Sequence, residues 1–112
     1  MRYMMFVVGD PAAEADAEPS EDDISIEEWL SEVEGKRIMG ERLRPVDDAT
    51  TVRVSKGEVL VTDGPFTESK EWIVGFDILE CEDLDEAIAI AARHPQANGG
   101  KLELRPFWPS DE

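Results

Sequence analysis

The stretch of this chain best equipped for chemistry is Asp63-Gly64-Pro65-Phe66. Pro65 removes a backbone donor and biases Gly64 away from the helical region, while Gly64 itself accepts positive φ, so the four residues make a rigid turn carrying one carboxylate. Partly desolvated at a strand end beside Phe66, Asp63 would have a raised pKa and could take or give a proton in a small pocket. It could also accept amide hydrogen bonds within its own turn, the commoner use of aspartate in such places. Lys70 beside Asp63 would suit the holding of a small carboxylate, although Glu68, Lys70 and Glu71 also have the pattern of a solvated ion-pair patch.

Glu103 and Arg105 share strand parity, opposite to Leu102 and Leu104, and so point together at one sheet face. On a face joining two subunits they would line a cavity, with Arg105 placed to grip an anionic group, or they would pair with each other or across the subunits. His94 is the only histidine and falls in the last turn of a helical segment, where a cation meets the negative end of the dipole, so its expected role is capping. Cys81 stands between Glu80 and Glu82, whose charge raises a thiol pKa, and is expected to be a small core residue rather than a nucleophile.

Twenty-seven acids against eleven bases over 112 residues leave a formal net charge of −16. Such a field repels phosphate backbones and anionic membrane surfaces, and there is no basic stripe for direct nucleic-acid binding. One cysteine forms no internal disulfide, and no Cys/His cluster exists to build a zinc site. No motif points to a nucleotide, flavin, haem or other cofactor. The apolar run of residues 1 to 8 is too short to span a bilayer and lacks a small-residue cleavage site, so a cytoplasmic protein is expected.

The elements that must position these side chains follow from period and punctuation. Residues 2 to 8 are apolar at both parities, as in a central strand covered on both faces. From Asp10 to Asp23, alanines, a proline and acids show no period, and residues 11–23 are expected to form an acidic mobile loop, a tolerated insertion or a lid. Ser25-Ile26-Glu27-Glu28 has the form of a capping box, and Ile26, Trp29, Leu30 and Val33 follow on one helical face until Gly35. Met39 to Leu43 reads as a short edge strand. Thr51–Val54 and Glu58–Thr62 alternate around Ser55-Lys56-Gly57 as a hairpin whose second arm delivers Asp63.

Trp72 to Cys81 is the longest strand, with Trp72, Val74, Phe76 and Ile78 expected on one face and Ile73, Gly75, Asp77 and Leu79 on the other. Asp83 caps a second helix that runs to His94-Pro95, and residues 101 to 105 form the last strand. The order predicts an α+β fold in one domain over 1–112: a ferredoxin-like antiparallel sheet with two helices on one face and an extra hairpin. The other face then needs cover, which a second copy of the sheet can supply.

Asp63-Gly64-Pro65-Phe66, the Lys70-Glu71…Gly75-Phe76 continuation and Leu102-Glu103-Leu104-Arg105-Pro106 resemble the DGPF branch of the YCII-related family, over nearly the whole chain outside the acidic stretch. The resemblance implies pairing as a dimeric α+β barrel, hence a homodimer. Relatives are often encoded beside alternative sigma factors, which implies an accessory, transcription-associated role. Enzyme-like members of the wider family pair a histidine after the first strand with an aspartate, whereas residues 9 to 36 here hold no histidine. The expectation is therefore a non-catalytic homodimer that binds a metabolite or partner protein. The alternative is a lyase- or isomerase-type enzyme using Asp63 as acid or base, with Phe66, Lys70, Glu103 and Arg105 around a small anionic or aromatic compound.

Overall fold

The computed structural model describes residues 1–65 and 71–109. Strand β1 (Arg2–Gly9) buries Tyr3, Met5 and Val7 on one face and half-buries Met4, Phe6 and Val8 on the other. It lies between β5 (Trp72–Glu80) and β6 (Lys101–Pro106), and β2 (Arg37–Arg42) pairs with the outer side of β5. All pairings are antiparallel, in the order β2-β5-β1-β6. With helices α2 (Ile26–Glu32) and α3 (Leu84–Arg93) against the Tyr3-Met5-Val7 face, this is the expected ferredoxin-like α+β arrangement.

The core lies between those helices and the sheet. Trp29 and Val33 from α2 and its end meet Ala87 and Ala91 from α3, and both pairs rest on Tyr3, Met5, Val7 and Leu79. Ser25 caps α2 by accepting from the Glu28 amide at 3.1 Å, as its spacing predicts, and Asp83 caps α3 on the Glu86 amide at 2.9 Å. The Trp29 indole donates to the Ile90 carbonyl at 2.9 Å, which ties the two helices together and satisfies the one polar atom of a fully buried ring. Cys81 is a buried core residue, and burial, with Glu86 adding to it, pushes its thiol pKa up.

The hairpin stands apart as a two-stranded sheet, β3 (Thr50–Ser55) with β4 (Glu58–Asp63). Lys56 and Gly57 both have positive φ, 51° and 81°, the geometry that fits a two-residue hairpin turn to the strand twist. Val52 faces Val61 and Val54 faces Val59, and all four valines are exposed.

Two expectations change. Residues 11 to 23 are not without regular structure: α1 spans Pro11–Asp16. Asp10 accepts from the Ala13 amide at 3.2 Å, Glu14 accepts from the Asp10 amide at 2.8 Å, and Pro11 enters the first turn, so local capping makes a helix where apolar periodicity shows none. Gln96 then donates to Glu14 at 2.8 Å and Asn98 to the Glu18 carbonyl at 2.9 Å, which holds the segment against the body.

The faces of β5 also differ from simple alternation. Val7 pairs with Gly75 but Val8 pairs with Ile73, so Val74 is an extra residue. This bulge turns Trp72 to the helix side and Ile73 to the open side with Phe76 and Ile78, because one unpaired residue inverts the parity of everything before it.

Candidate functional site

On the helix side, between α2, the start of α1 and the β2–β5 edge, lies a cavity of about 630 Å³. Trp29, Leu30 and Ile26 of α2 form one wall, and Trp72 and Val74, brought round by the bulge, form another. Glu14, Glu41, Arg42 and Gln96 also line it, but the buried polar groups of the lining are Asp77 and His94, with Arg37 bonded to Asp77.

Asp77 is the one charged residue on the core-facing parity of β5, flanked by Met5 on one side and Gly40 on the other, and it is 6% exposed. Arg37 Nε donates to its Oδ1 at 2.6 Å. Burial raises the Asp77 pKa above the ordinary 3.8, against the opposing pull of the Arg37 hydrogen bond and charge and a smaller one from His94. Gly40 makes the pair possible, because a Cβ there would stand 2.1 Å from Asp77 Oδ1 and 2.6 Å from Arg37 Nη2.

His94 ends α3 and is 8% exposed, with its ring edge-to-face on Trp29 at 4.7 Å between centroids. Its Nδ1 accepts from the Gln96 amide at 2.9 Å, which places the proton of the neutral ring on Nε2. Burial lowers its pKa below 6.5, with Asp77 pulling the other way. The expected cationic helix cap is thus replaced by a neutral, buried imidazole, since removing a charged ring from water costs more than the dipole end returns. Each of Asp77 and His94 lies within reach of the other's charge. Together they offer a basic carboxylate and an N–H donor in an apolar chamber, the components for removing a proton next to an oxygen-bearing carbon.

Of the site residues singled out from the sequence, the described ones, Asp63, Glu103 and Arg105, lie elsewhere. Asp63 ends β4, exposed and outside this cavity, and no described residue donates a hydrogen bond to its carboxylate. Gly64 has φ +105°, as that turn requires, and its amide donates to the Ala49 carbonyl at 2.7 Å. The Thr51 hydroxyl donates to the Gly64 carbonyl at 2.7 Å, so Thr51 and the backbone do the bonding anticipated for Asp63. Phe66 and Lys70 lie outside the described residues.

Glu103 and Arg105 do share the open face, opposite Phe6 and Met4, and both are exposed. Arg105 lines a shallower hollow of about 400 Å³ with Met4, Phe6, Phe107 and Trp108. No grouping of metal-ligating side chains occurs among the described residues, and none of the described helices is long and apolar enough to cross a membrane.

Asp77 was missed although a signal existed: a charge at the parity of Leu79, on the face that an apolar strand turns to its core. Arg37 and His94 gave no such signal, because nothing in sequence spacing brings them to β5.

Comparison with known proteins agrees with this fold. An uncharacterised protein of Rhizobium meliloti (strain 1021) is 46% identical over 68 residues, which are 59% of this chain and 55% of that protein, so the chain spans about half its relative's length. Among solved structures, 5-chloro-2-hydroxyhydroquinone dehydrochlorinase (TftG) from Burkholderia phenoliruptrix AC1100, in complex with 2,5-dihydroxybenzoquinone, matches with a TM-score of 0.51. That match covers 99% of this chain and 97% of TftG at 14% identity, a likeness of fold. The family model described as the YCII-related domain matches residues 1–111, and the chain belongs to that family.

Proposed function

We propose that this protein binds a small, largely apolar molecule in the helix-side cavity and transfers a proton on it, as a lyase or isomerase would. Asp77 is the base, and His94 donates from Nε2 to the oxygen that gains negative charge. The supporting observation is the pairing of a buried carboxylate of raised pKa with a buried neutral histidine in one apolar chamber. His94 supplies what the missing histidine of residues 9 to 36 would otherwise have supplied, from a different element. The activity named for TftG, dehydrochlorination, is compatible with such a base, although the two chains share only a fold.

A non-catalytic, metabolite-binding accessory role has its own support in the Arg37–Asp77 bond, since a buried carboxylate kept for structure is also paired in this way. Deuterium incorporation next to the carbonyl of cyclohexanone in D2O separates the two. Acceleration by the wild-type protein that is lost in Asp77→Asn is the expected result; no acceleration leaves the accessory role standing.

The quaternary part of the proposal is a homodimer through the open sheet face. Half-buried Met4, Phe6, Phe76 and Ile78 and exposed Ile73 form an apolar surface there that no helix among the described residues covers, and a second copy is the partner that the two-layer logic of the fold calls for.

A further inference from the structure

We infer that the floor of the helix-side cavity selects a neutral hydroxyl group on a ring-shaped ligand and turns away a carboxylate; this rests on the site proposed above and names what it takes. Arg37, the cation nearest the floor, is already engaged. Its Nε holds Asp77 Oδ1 at 2.6 Å, and its Nη2 end lies over Gly40 on the edge strand. Among the described residues nothing donates to Asp77 Oδ2 and nothing bonds His94 Nε2, yet no buried side-chain polar atom is sealed in without a partner. Both atoms therefore keep solvent access, and their residues line the cavity.

The cavity thus presents one acceptor and one donor, on residues close enough for each to feel the other's charge. A hydroxyl satisfies both, giving its proton to Oδ2 and accepting from Nε2–H, whereas a carboxylate has no proton for Oδ2 and repels it. Glu14 and Glu41, the other acids of the lining, add further negative charge. Arg42, the remaining cation of the lining, is exposed on the edge strand, where water and salt screen it. Trp29, Trp72, Ile26 and Leu30 offer a flat ring apolar walls.

Isothermal titration calorimetry of the wild-type protein with phenol, benzoate and anisole tests this. Phenol is expected to bind about tenfold more tightly than either benzoate, which lacks the proton, or anisole, whose methyl blocks it. Asp77→Asn should narrow the gap between phenol and benzoate, and His94→Gln, whose amide can still donate, should retain the order. Benzoate binding as well as phenol would overturn the selection while leaving the cavity and its proton transfer intact. Failure of all three probes at millimolar concentration overturns the selection too, and joined to absent exchange into cyclohexanone it removes the proposed activity as well.

Discussion

Arg37 and Asp77 meet at 2.6 Å over the one residue of β2 that has no side chain, Gly40. The pair thus rests on the register of two strands as much as on its own charges. Gly40 faces Asp77 across the β2–β5 ladder, and the room left by its missing Cβ is the room the carboxylate and guanidinium occupy.

Gly40→Ala should be costly in consequence. The new methyl would also lie 2.7 Å from the Phe76 carbonyl, backbone that cannot rotate away, so the edge strand must shift or the ion pair must part. A loss of about 2 to 3 kcal/mol is expected in urea denaturation, accompanied by weaker ligand binding. Unchanged stability would show that the edge strand gives way freely.

His94 sets a pH dependence whose sign follows from its burial. Its folded pKa is below 6.5, so in the window beneath that value the unfolded chain binds the extra proton and the folded chain does not. The stability that His94 contributes is present above pH 6.5 and is lost as pH falls through the folded value. Asp77 acts in the opposite sense, because its folded pKa is raised above 3.8 and acidification toward that value favours the folded form. Unfolding measured at pH 7.5 and 5.5 should show the wild type losing more stability than His94→Gln over this interval.

Asp63 and Thr51 should respond unequally to substitution. Asp63→Asn, at an exposed carboxylate that accepts no hydrogen bond from the described residues, is expected to change stability by less than about 0.5 kcal/mol. Thr51→Val removes the 2.7 Å bond to the Gly64 carbonyl and should cost roughly 1 kcal/mol. Thermal melts of the two variants side by side provide the check, and a larger loss from Asp63→Asn would return the turn to its aspartate.

The two faces of β5 separate folding from association. Leu79 is 0% exposed beneath the helices, and Leu79→Glu should cost upwards of about 4 kcal/mol or prevent folding. Ile73, 46% exposed on the open face, should tolerate a glutamate within about 1 kcal/mol in the monomer while weakening the proposed homodimer. Light scattering at micromolar concentration reads this directly. A wild-type monomer there would count against the dimer.

Much of the architecture was legible because its determinants are local. The caps at Ser25 and Asp83, the helical face through Trp29 and Val33, the turn at Lys56-Gly57 and the alternation of β1 each follow from residues a few positions apart. The same kind of signal existed for α1 in Asp10, Pro11 and Glu14, but the helix presents no apolar face, so reading by apolar period passes over it.

By itself the sequence determined the family, the order of the strands and of the two helices that pack on the sheet, the place of Cys81 in the core and the shared face of Glu103 and Arg105. Only the tertiary structure brought the residues of the proposed site together. The bulge at Val74 that turns Trp72 inward, the pairing that sets Gly40 beside Asp77 and the packing that brings His94 from the end of α3 onto Trp29 are relations between residues far apart in the chain. Strand register and helix docking are set by the sum of many contacts across the core, and a shift of one residue would carry Asp77 to the other face of the sheet, away from His94.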